Sequence, residues 1–176
     1  AIFVETDVCK RESIQAMVEK TVAEFGKIDF LMNDAGIVKW NEAENVSEED
    51  WMNVINVNLN GLFYCCQEVG KQMITQGGGR IINIASMSGL IVNRPQCQVS
   101  YNTSKAAVIH LTKSLAAEWA KYNIRVNAMS PGYMEGPLAA PLLEDPNYGP
   151  VWMDCIPMRR PGNPEELCPV AVLLAS

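Results

Sequence analysis

Tyr101 and Lys105 are the two side chains whose types and spacing most directly suggest chemistry. Residues four apart share a face of a helix, so the phenol and the ammonium group can approach each other. A phenol ionises near pH 10, about three units too high for a base at neutral pH, but a nearby positive charge lowers its pKa. Burial would raise that pKa, so we expect the lysine to dominate. Tyr101 could then take a proton from an alcohol or give one to a ketone.

The spacing alone does not establish such a site, because a tyrosine beside a solvated lysine looks the same. Two other polar positions add to it. Ser86 directly follows an apolar, strand-like stretch, and Asn58 lies in the middle of a predicted helix that also contains Asn56 and Asn60. Asparagine is unfavourable inside helices, so three within five positions need a reason. A helix cap or a local kink is the alternative explanation.

Five sequence pieces carry a resemblance to a known family. They are Asn33-Asp34-Ala35-Gly36, Val57-Asn58-Leu59-Asn60-Gly61, Ile82-Asn83-Ile84-Ala85-Ser86, Tyr101-Asn102-Thr103-Ser104-Lys105 and Arg125-Val126-Asn127-Ala128-Met129-Ser130-Pro131-Gly132. In this order and spacing the chain resembles the short-chain dehydrogenase/reductase family over nearly its whole length. The resemblance implies a nicotinamide-dependent oxidoreductase on a doubly wound, Rossmann-like parallel sheet.

The resemblance also implies a role for each matching catalytic position. Tyr101 is the expected general acid/base, and Lys105 is expected to lower its pKa and to hold the nicotinamide ribose. Ser86 is expected to polarise the substrate oxygen; Ser88 is a nearby rival that matches a variable position of the family. Asn58 is expected to hold a water molecule for a proton relay.

Three groups of residues are implied to bind the cofactor. Asp7 is the expected adenine contact, with Val8 beside it. The turn from Asn33 through Ala35 to Gly36 is expected against the adenosine ribose. The expected wall on the nicotinamide side consists of Pro131, Gly132 and Met134. Whether the cofactor is NAD or NADP cannot be decided from these residues.

Three departures from the family pattern stand out. Gly136 occupies the position of a threonine that usually helps to hold the nicotinamide carboxamide, and Asp34 replaces the second asparagine of the strand turn. No G-x-G-x-x-G turn for the cofactor phosphates occurs in the 176 residues, and the Gly77–Gly79 run precedes a strand instead of following one. We therefore expect one partial Rossmann-like domain over residues 1–176, lacking a first βαβα portion and a last strand. Alone, it should bind cofactor poorly and be inactive.

The loop from Leu90 to Ser100 is similar to that of sugar and polyol dehydrogenases acting on mannitol, sorbitol, arabinitol or xylulose. Its Asn93, Gln96 and Gln98 could bond substrate hydroxyls, together with Ser86 and Ser88; a polar surface loop is the alternative. Residues 131–163 are expected to form the substrate loop and lid. There Tyr133, Trp152 and Met153 are candidates to cover the substrate, or to serve core packing or a subunit interface.

The elements that must position these residues follow from apolar patterning. Strands are expected at 2–4, 28–32, 80–85 and 124–129. Helices are expected at 13–25, from Ser47 to about Thr75, at about 100–121 and from Pro164 onward, with an irregular segment at 131–161. Alternating apolar strands and helices predict a parallel sheet covered on both faces, with the ligand site at the carboxyl ends of its strands.

Composition excludes several other classes of function. Hydrophobic residues make up 48% of the chain and the net charge is −6, which fits a folded domain without a basic surface for nucleic acid. No apolar run is long enough for a membrane span. Metal binding is not expected, because His110 is the only histidine and no C-x-x-C occurs. The six cysteines are expected to be free, buried thiols in a reducing cytoplasm.

Several readings of function stay open. The first is hydride transfer between NAD(P) and a secondary alcohol or ketone of a sugar or polyol. The runner-up substrate is a 3-oxoacyl thioester or another hydrophobic ketone. A different class is a non-catalytic interaction module, favoured by the missing phosphate-binding turn. The family resemblance further implies a homodimer or homotetramer, paired through the helix that carries Ala106, Ala107, Ala116 and Ala117 and through the last helix.

Overall fold

The computed structural model describes residues 1–176. Its helices are α1 (Arg11–Phe25), α2 (Glu48–Ile55), α3 (Leu62–Gln76), α4 (Val99–Trp119), α5 (Ala140–Leu143), α6 (Gly149–Cys155) and α7 (Cys168–Ala175). Its strands are β1 (Phe30–Asn33), β2 (Gly79–Ile84) and β3 (Ile124–Met129). A π-helical turn at Asn56–Gly61 joins α2 to α3, and short 3₁₀ turns lie at 43–45, 87–89, 120–122 and 164–167.

The three strands form one parallel sheet in the order β1-β2-β3. Asn33 lies opposite Asn83 in the first ladder, and Ile84 lies opposite Met129 in the second. All three strands therefore end at the same edge of the sheet, where the predicted site residues follow them. The α/β class with a parallel sheet is confirmed.

The main core lies between the sheet and helices α3 and α4. Its buried residues include Ile81 of β2 and Val126 of β3, packed with Leu62, Cys66, Val69, Met73, Val108 and Leu115 from the helices. Successive strand residues point to opposite faces, so the fully buried Ile82 faces away from that cluster. Helix α7 packs on β2. The second face is therefore covered at β2 but not at β1, where Phe30 is 37% and Met32 is 43% exposed, so the expected cover on both faces is only partly present in these 176 residues.

Several expected boundaries were wrong. Residues 2–4 are not a strand: they pair with no other strand, and Phe3 is 83% exposed. An extended segment becomes a strand only when its backbone groups bond to a neighbour. The expected helix from Ser47 to Thr75 is interrupted by the π turn, and the segment expected to be irregular contains α5 and α6. The last helix opens with a 3₁₀ turn at Pro164–Leu167.

The six cysteines are all free, but only Cys65 and Cys66 are buried, so the expected burial is wrong for the other four. No group of three or more His, Cys, Asp or Glu side chains is placed to hold a metal ion. None of the helices has the length and apolar character needed to cross a membrane.

Candidate active site

Lys105 lies in the second turn of α4 and is 4% exposed. Its Nζ donates a 2.6 Å hydrogen bond to the carbonyl of Ile84, the last residue of β2. The same Nζ lies 5.6 Å from the centroid of the Tyr101 ring. Burial lowers the pKa of Lys105 to about 8, while the charge of Asp34 acts in the opposite direction. The helix thus brings the lysine and the tyrosine together at the end of the central strand.

Tyr101 departs from the expected electrostatics. Its pKa is raised, first by burial and also by the negative charge of Asp34, whereas hydrogen bonding with Ser86 lowers it. The expectation that Lys105 would dominate and lower this pKa is therefore wrong in this structure. The lysine directs its ammonium group to the Ile84 carbonyl, and desolvation of the phenolate is the largest influence on the pKa of Tyr101.

Ser86 is placed by the exit of β2. It is buried and caps the 3₁₀ turn at Met87–Gly89, where its Oγ accepts a hydrogen bond from the Ser88 amide at 3.1 Å. Its side chain lines the same cavity as Tyr101, and its hydroxyl lowers the pKa of that phenol. Gly89 makes this arrangement possible, because a Cβ there would lie 2.7 Å from the backbone of Lys105. The loop can therefore pass directly against α4.

Ser88, the rival to Ser86, belongs to a buried polar network. Its Oγ donates to Asn93 Oδ1 at 2.6 Å and accepts from Gln98 Nε2 at 3.2 Å. Asn93 in turn donates to the hydroxyl of Tyr133 at 3.1 Å. These contacts occupy the Ser88 hydroxyl with protein groups, which leaves Ser86 as the serine beside Tyr101.

Asn58 is fully buried in the π turn. Its Nδ2 donates to the Ile37 carbonyl at 2.9 Å and to Ser104 Oγ at 3.0 Å, and its Oδ1 accepts from the Ile37 amide at 2.8 Å. Asn58 therefore ties the chain after β1 to helix α4. The expected water molecule stays a prediction, and the second lone pair of Oδ1 is the side-chain position left for it.

The turn after β1 divides into a buried and an exposed part. Asn33 is buried, and its Nδ2 donates to Asn83 Oδ1 at 2.9 Å, so its side chain joins two strands, while its place against the ribose stays a prediction. Ala35 and Gly36 are exposed. A Cβ on Gly36 would lie 3.5 Å from Asn58 Oδ1 and 3.6 Å from Lys105 Nζ. The exposed backbone of this turn thus lies next to the catalytic candidates.

Asp7 and Val8 lie in the turn before α1. The exposed Asp7 carboxylate accepts from the Cys9 amide at 2.9 Å and lies 3.3 Å from Lys10 Nζ. Val8 packs on the π turn, since a Cβ on Gly61 would lie 2.9 Å from its side chain. The structure therefore places this turn beside the helix segment of Asn58 and away from the cavity at Tyr101.

The segment after β3 joins the site through Pro131, whose carbonyl accepts from the Met87 amide at 3.0 Å. Met134 packs instead against Gly162, where a Cβ would approach its sulfur to 2.7 Å. Gly136 has a φ of +149°. A β-branched side chain rarely adopts that conformation, so the local backbone accounts for glycine where the family has threonine.

A small cavity of about 80 Å³ lies directly against the Ser86–Tyr101 pair. It brings together seven predicted substrate or catalytic residues with Gly132; its full lining is Val38, Trp40, Ser86, Met87, Ser88, Gln96, Gln98, Tyr101, Gly132, Tyr133, Leu138, Ala139 and Trp152. The predicted Asn93 lies outside this lining and lines a second, more apolar cavity of about 500 Å³ that shares Met87, Gly132 and Tyr133.

Sequence reasoning missed the part of the wall made by Val38 and Trp40 and by Leu138 and Ala139. Trp40 is a large aromatic residue in a polar loop, and it is 40% exposed. An exposed tryptophan so soon after a strand-end turn is a signal that could have marked it. Leu138 and Ala139 carried no comparable signal, because their approach to the cavity depends on how residues 137–158 fold back.

A family model described as enoyl-(acyl carrier protein) reductase matches residues 1–176. Among curated proteins, galactitol 2-dehydrogenase of Rhizobium johnstonii is 47% identical over 83% of this chain and 57% of its own length. The L-tagatose-forming galactitol 2-dehydrogenase of Cereibacter sphaeroides is 39% identical over 100% of this chain and 69% of its own. The 3-oxoacyl-(acyl-carrier-protein) reductase of Chlamydia pneumoniae is 40% identical over 99% of this chain and 68% of its own length. The chain thus spans 57–69% of the length of these relatives.

Solved structures agree with these matches. A short-chain type dehydrogenase/reductase from Mycobacterium marinum has a TM-score of 0.96 and 40% identity, covering 100% of this chain and 68% of its own. A gluconate 5-dehydrogenase from Burkholderia cenocepacia, in complex with NADP and tartrate, has a TM-score of 0.91 and 35% identity over 97% and 66%. An NAD⁺-bound xylitol dehydrogenase has a TM-score of 0.88 and 37% identity over 97% and 71%.

Proposed function

Since this chain belongs to the short-chain dehydrogenase/reductase family, we propose that its protein transfers a hydride between NAD(P) and a secondary alcohol or ketone of a sugar or polyol. The proposal rests on one observation above the others. Ser86 and Tyr101 line the same cavity, and the buried Lys105 lies between the Tyr101 ring and the exposed turn at Gly36. In this proposal the Tyr101 phenol is the proton donor, the Ser86 hydroxyl binds the substrate oxygen and the Lys105 ammonium group faces the cofactor.

The chain's own residues would handle the proton. In the oxidation direction, the Tyr101 phenolate accepts the proton of the substrate hydroxyl as the C–H bond breaks. In the reduction direction, the Tyr101 phenol donates that proton to the carbonyl oxygen. Ser86 Oγ holds the same substrate oxygen by a hydrogen bond, so the proton moves along a fixed path. A raised Tyr101 pKa keeps the phenol protonated at neutral pH, which suits ketone reduction.

The residues present fit the nicotinamide end of the cofactor. The exposed turn at Ala35 and Gly36 leaves its backbone open beside Lys105, whose ammonium group would hold a ribose hydroxyl of the bound cofactor. Pro131 and Gly132 border the Met87 side of the same region. The nicotinamide ring supplies or takes the hydride when it is bound. These residues would orient it, while no glycine-rich phosphate-binding turn occurs within the 176 residues.

A polyhydroxylated substrate suits the cavity lining. Ser88 and Gln96 line it but are bonded within the protein, whereas Gln98 Oε1 and the Tyr133 hydroxyl proton have no protein partner and can bond substrate hydroxyls. Two relatives at 47% and 39% identity are named galactitol 2-dehydrogenases. Steady-state turnover of the full-length protein with galactitol, mannitol, xylitol and gluconate, each with NAD⁺ and NADP⁺, tests the proposal. Absence of turnover with every polyol and sugar acid would rule it out.

A second candidate substrate is a 3-oxoacyl thioester. The apolar cavity of about 500 Å³ next to the site, lined by Ile91, Val92, Ile156 and Met158, could take an acyl chain. One relative at 40% identity is named a 3-oxoacyl-(acyl-carrier-protein) reductase. Reduction of acetoacetyl thioesters without activity on polyols would favour this candidate.

We also propose that the protein assembles as a homodimer or homotetramer through α4 and α7. Ala106 and Ala117 of α4 are exposed small residues. On α7, Val172 is 66% and Leu173 is 72% exposed, an apolar surface that a monomer rarely leaves open. Analytical ultracentrifugation of the full-length protein tests this assembly. A monomer at micromolar concentration would contradict it.

A further inference from the structure

Residues 137–158, called the lid below, cover the cavity with Leu138, Ala139 and Trp152. Their hydrogen bonds are internal or close the turns at the two ends of the lid, with one exception. The exception is the indole Nε1 of Trp152, which donates to Gln96 Oε1 at 2.8 Å. The lid is therefore joined to the rest of the molecule by a single long-range hydrogen bond.

This bond is shielded and well oriented. Trp152 is 3% exposed and Gln96 is 6% exposed, so water does not compete for either partner. An indole N–H can only donate, which fixes the Gln96 carboxamide with its oxygen toward Trp152. Gln96 Nε2 then donates to the Tyr133 hydroxyl at 3.3 Å.

The aromatic rings extend the same connection. The Tyr133 and Trp152 rings are stacked, with centroids 4.0 Å apart and an interplanar angle of 14°. Tyr133 is also held by Asn93 at 3.1 Å. Gln96 therefore contacts both members of the stack and fixes the lid on the polar loop at 93–98.

We infer that Gln96 is a positioning residue that latches the lid over the substrate cavity through Trp152, and that it thereby sets substrate affinity. The inference rests on the proposed function for its link to catalysis. Gln96 lines the cavity, but its Oε1 is bonded to Trp152 and its Nε2 to Tyr133, so its polar atoms act on the lid and the aromatic stack. Removing it leaves a buried indole N–H without an acceptor, which favours lid opening.

The experiment compares Gln96→Met, which keeps the side-chain length but cannot accept or orient the bond, with Trp152→Phe, which keeps the ring stack but removes the N–H. Gln72→Met on α3, where Gln72 bonds only to Gln76, is the matched control. In the full-length protein we expect hydrogen–deuterium exchange in residues 137–158 to be faster than in the wild type for both variants, and unchanged for the control. We expect KM for the polyol to rise about tenfold with kcat changed less than about twofold.

The double variant tests whether the two residues form one latch. If they do, the double variant Gln96→Met/Trp152→Phe shows lid hydrogen–deuterium exchange no faster, and a KM for the polyol no higher, than either single variant. Wild-type exchange in both single variants, or additive effects in the double variant, would overturn the inference. Faster lid exchange in a protein that turns over no polyol would leave the latch standing and reject the proposed function. Polyol turnover together with unchanged lid exchange in the variants would support the proposed function and reject the latch.

Discussion

Lys105 places its ammonium group 5.6 Å from the centre of the Tyr101 ring, yet the hydrogen bond that it donates goes to the Ile84 carbonyl, 2.6 Å away. The lysine therefore anchors α4 to the end of β2 while it lies beside the tyrosine. Its proximity does not make Tyr101 acidic in this structure, because burial raises the pKa of that phenol. The electrostatic balance of the site is thus set by desolvation.

Replacing Tyr101 with phenylalanine should lower kcat of the full-length protein by about 10²–10⁴-fold, because it removes the proton donor and acceptor. The substitution keeps the ring, so circular dichroism and the melting temperature should stay near wild type. Tyr122→Phe, in an exposed 3₁₀ turn, is the matched control. Near-normal turnover of Tyr101→Phe would refute the acid/base assignment.

Replacing Asp34 with asparagine should move the pH profile of alcohol oxidation to lower pH. The negative charge of Asp34 raises the pKa of Tyr101, so its removal lets the phenolate form at lower pH. Oxidation requires the phenolate, and its rate should therefore rise earlier in a pH titration. Asp29→Asn, whose carboxylate pairs with Lys27 at the opposite end of β1, serves as the control. An unchanged profile would show that Asp34 does not act on the tyrosine.

Lys105 should make stability depend on pH. Burial lowers its folded-state pKa from 10.5 to about 8, so between these values the unfolded chain binds more protons than the folded chain. Stability from this group should consequently rise with pH over that window, by up to about 3 kcal/mol. Urea unfolding at pH 7.5 to 10.5, compared with Lys105→Met, measures it. A Lys105→Met variant with the same pH slope as wild type would contradict the prediction.

Replacing Asn58 with alanine should cost about 1–3 kcal/mol of unfolding free energy, because it leaves the amide and carbonyl of the half-buried Ile37 without their partners. Chemical denaturation gives the value directly. Asn60→Ala is the control, since the half-buried Asn60 bonds only to Asn56 in the same π turn. Equal, small losses for both variants would mean that Asn58 does not tie the β1 turn to α4.

The 176-residue chain by itself should bind NADH or NADPH weakly, since it contains no glycine-rich turn for the cofactor phosphates. Nicotinamide fluorescence during titration measures this. A clear response at micromolar cofactor would show that the remaining contacts are sufficient, and would weigh against an interaction module without catalysis.

The sequence by itself determined the family, the parallel α/β class and the pairing of Tyr101 with Lys105. These depend on short-range rules: apolar runs form buried strands, and residues four apart share one helix face. Ser86 could be placed for the same reason, because it comes directly after a strand whose end lies at the ligand edge of the sheet.

Only the tertiary structure decided how these residues behave. Burial, which raises the pKa of Tyr101, depends on segments from all over the chain that pack around it. Asn33 reaches Asn83 across two strands, 50 residues apart. Trp152 reaches Gln96 across 56 residues and fixes the lid. Spacing along the chain carries no record of such contacts, since they arise when distant side chains lose water together and must find partners in each other.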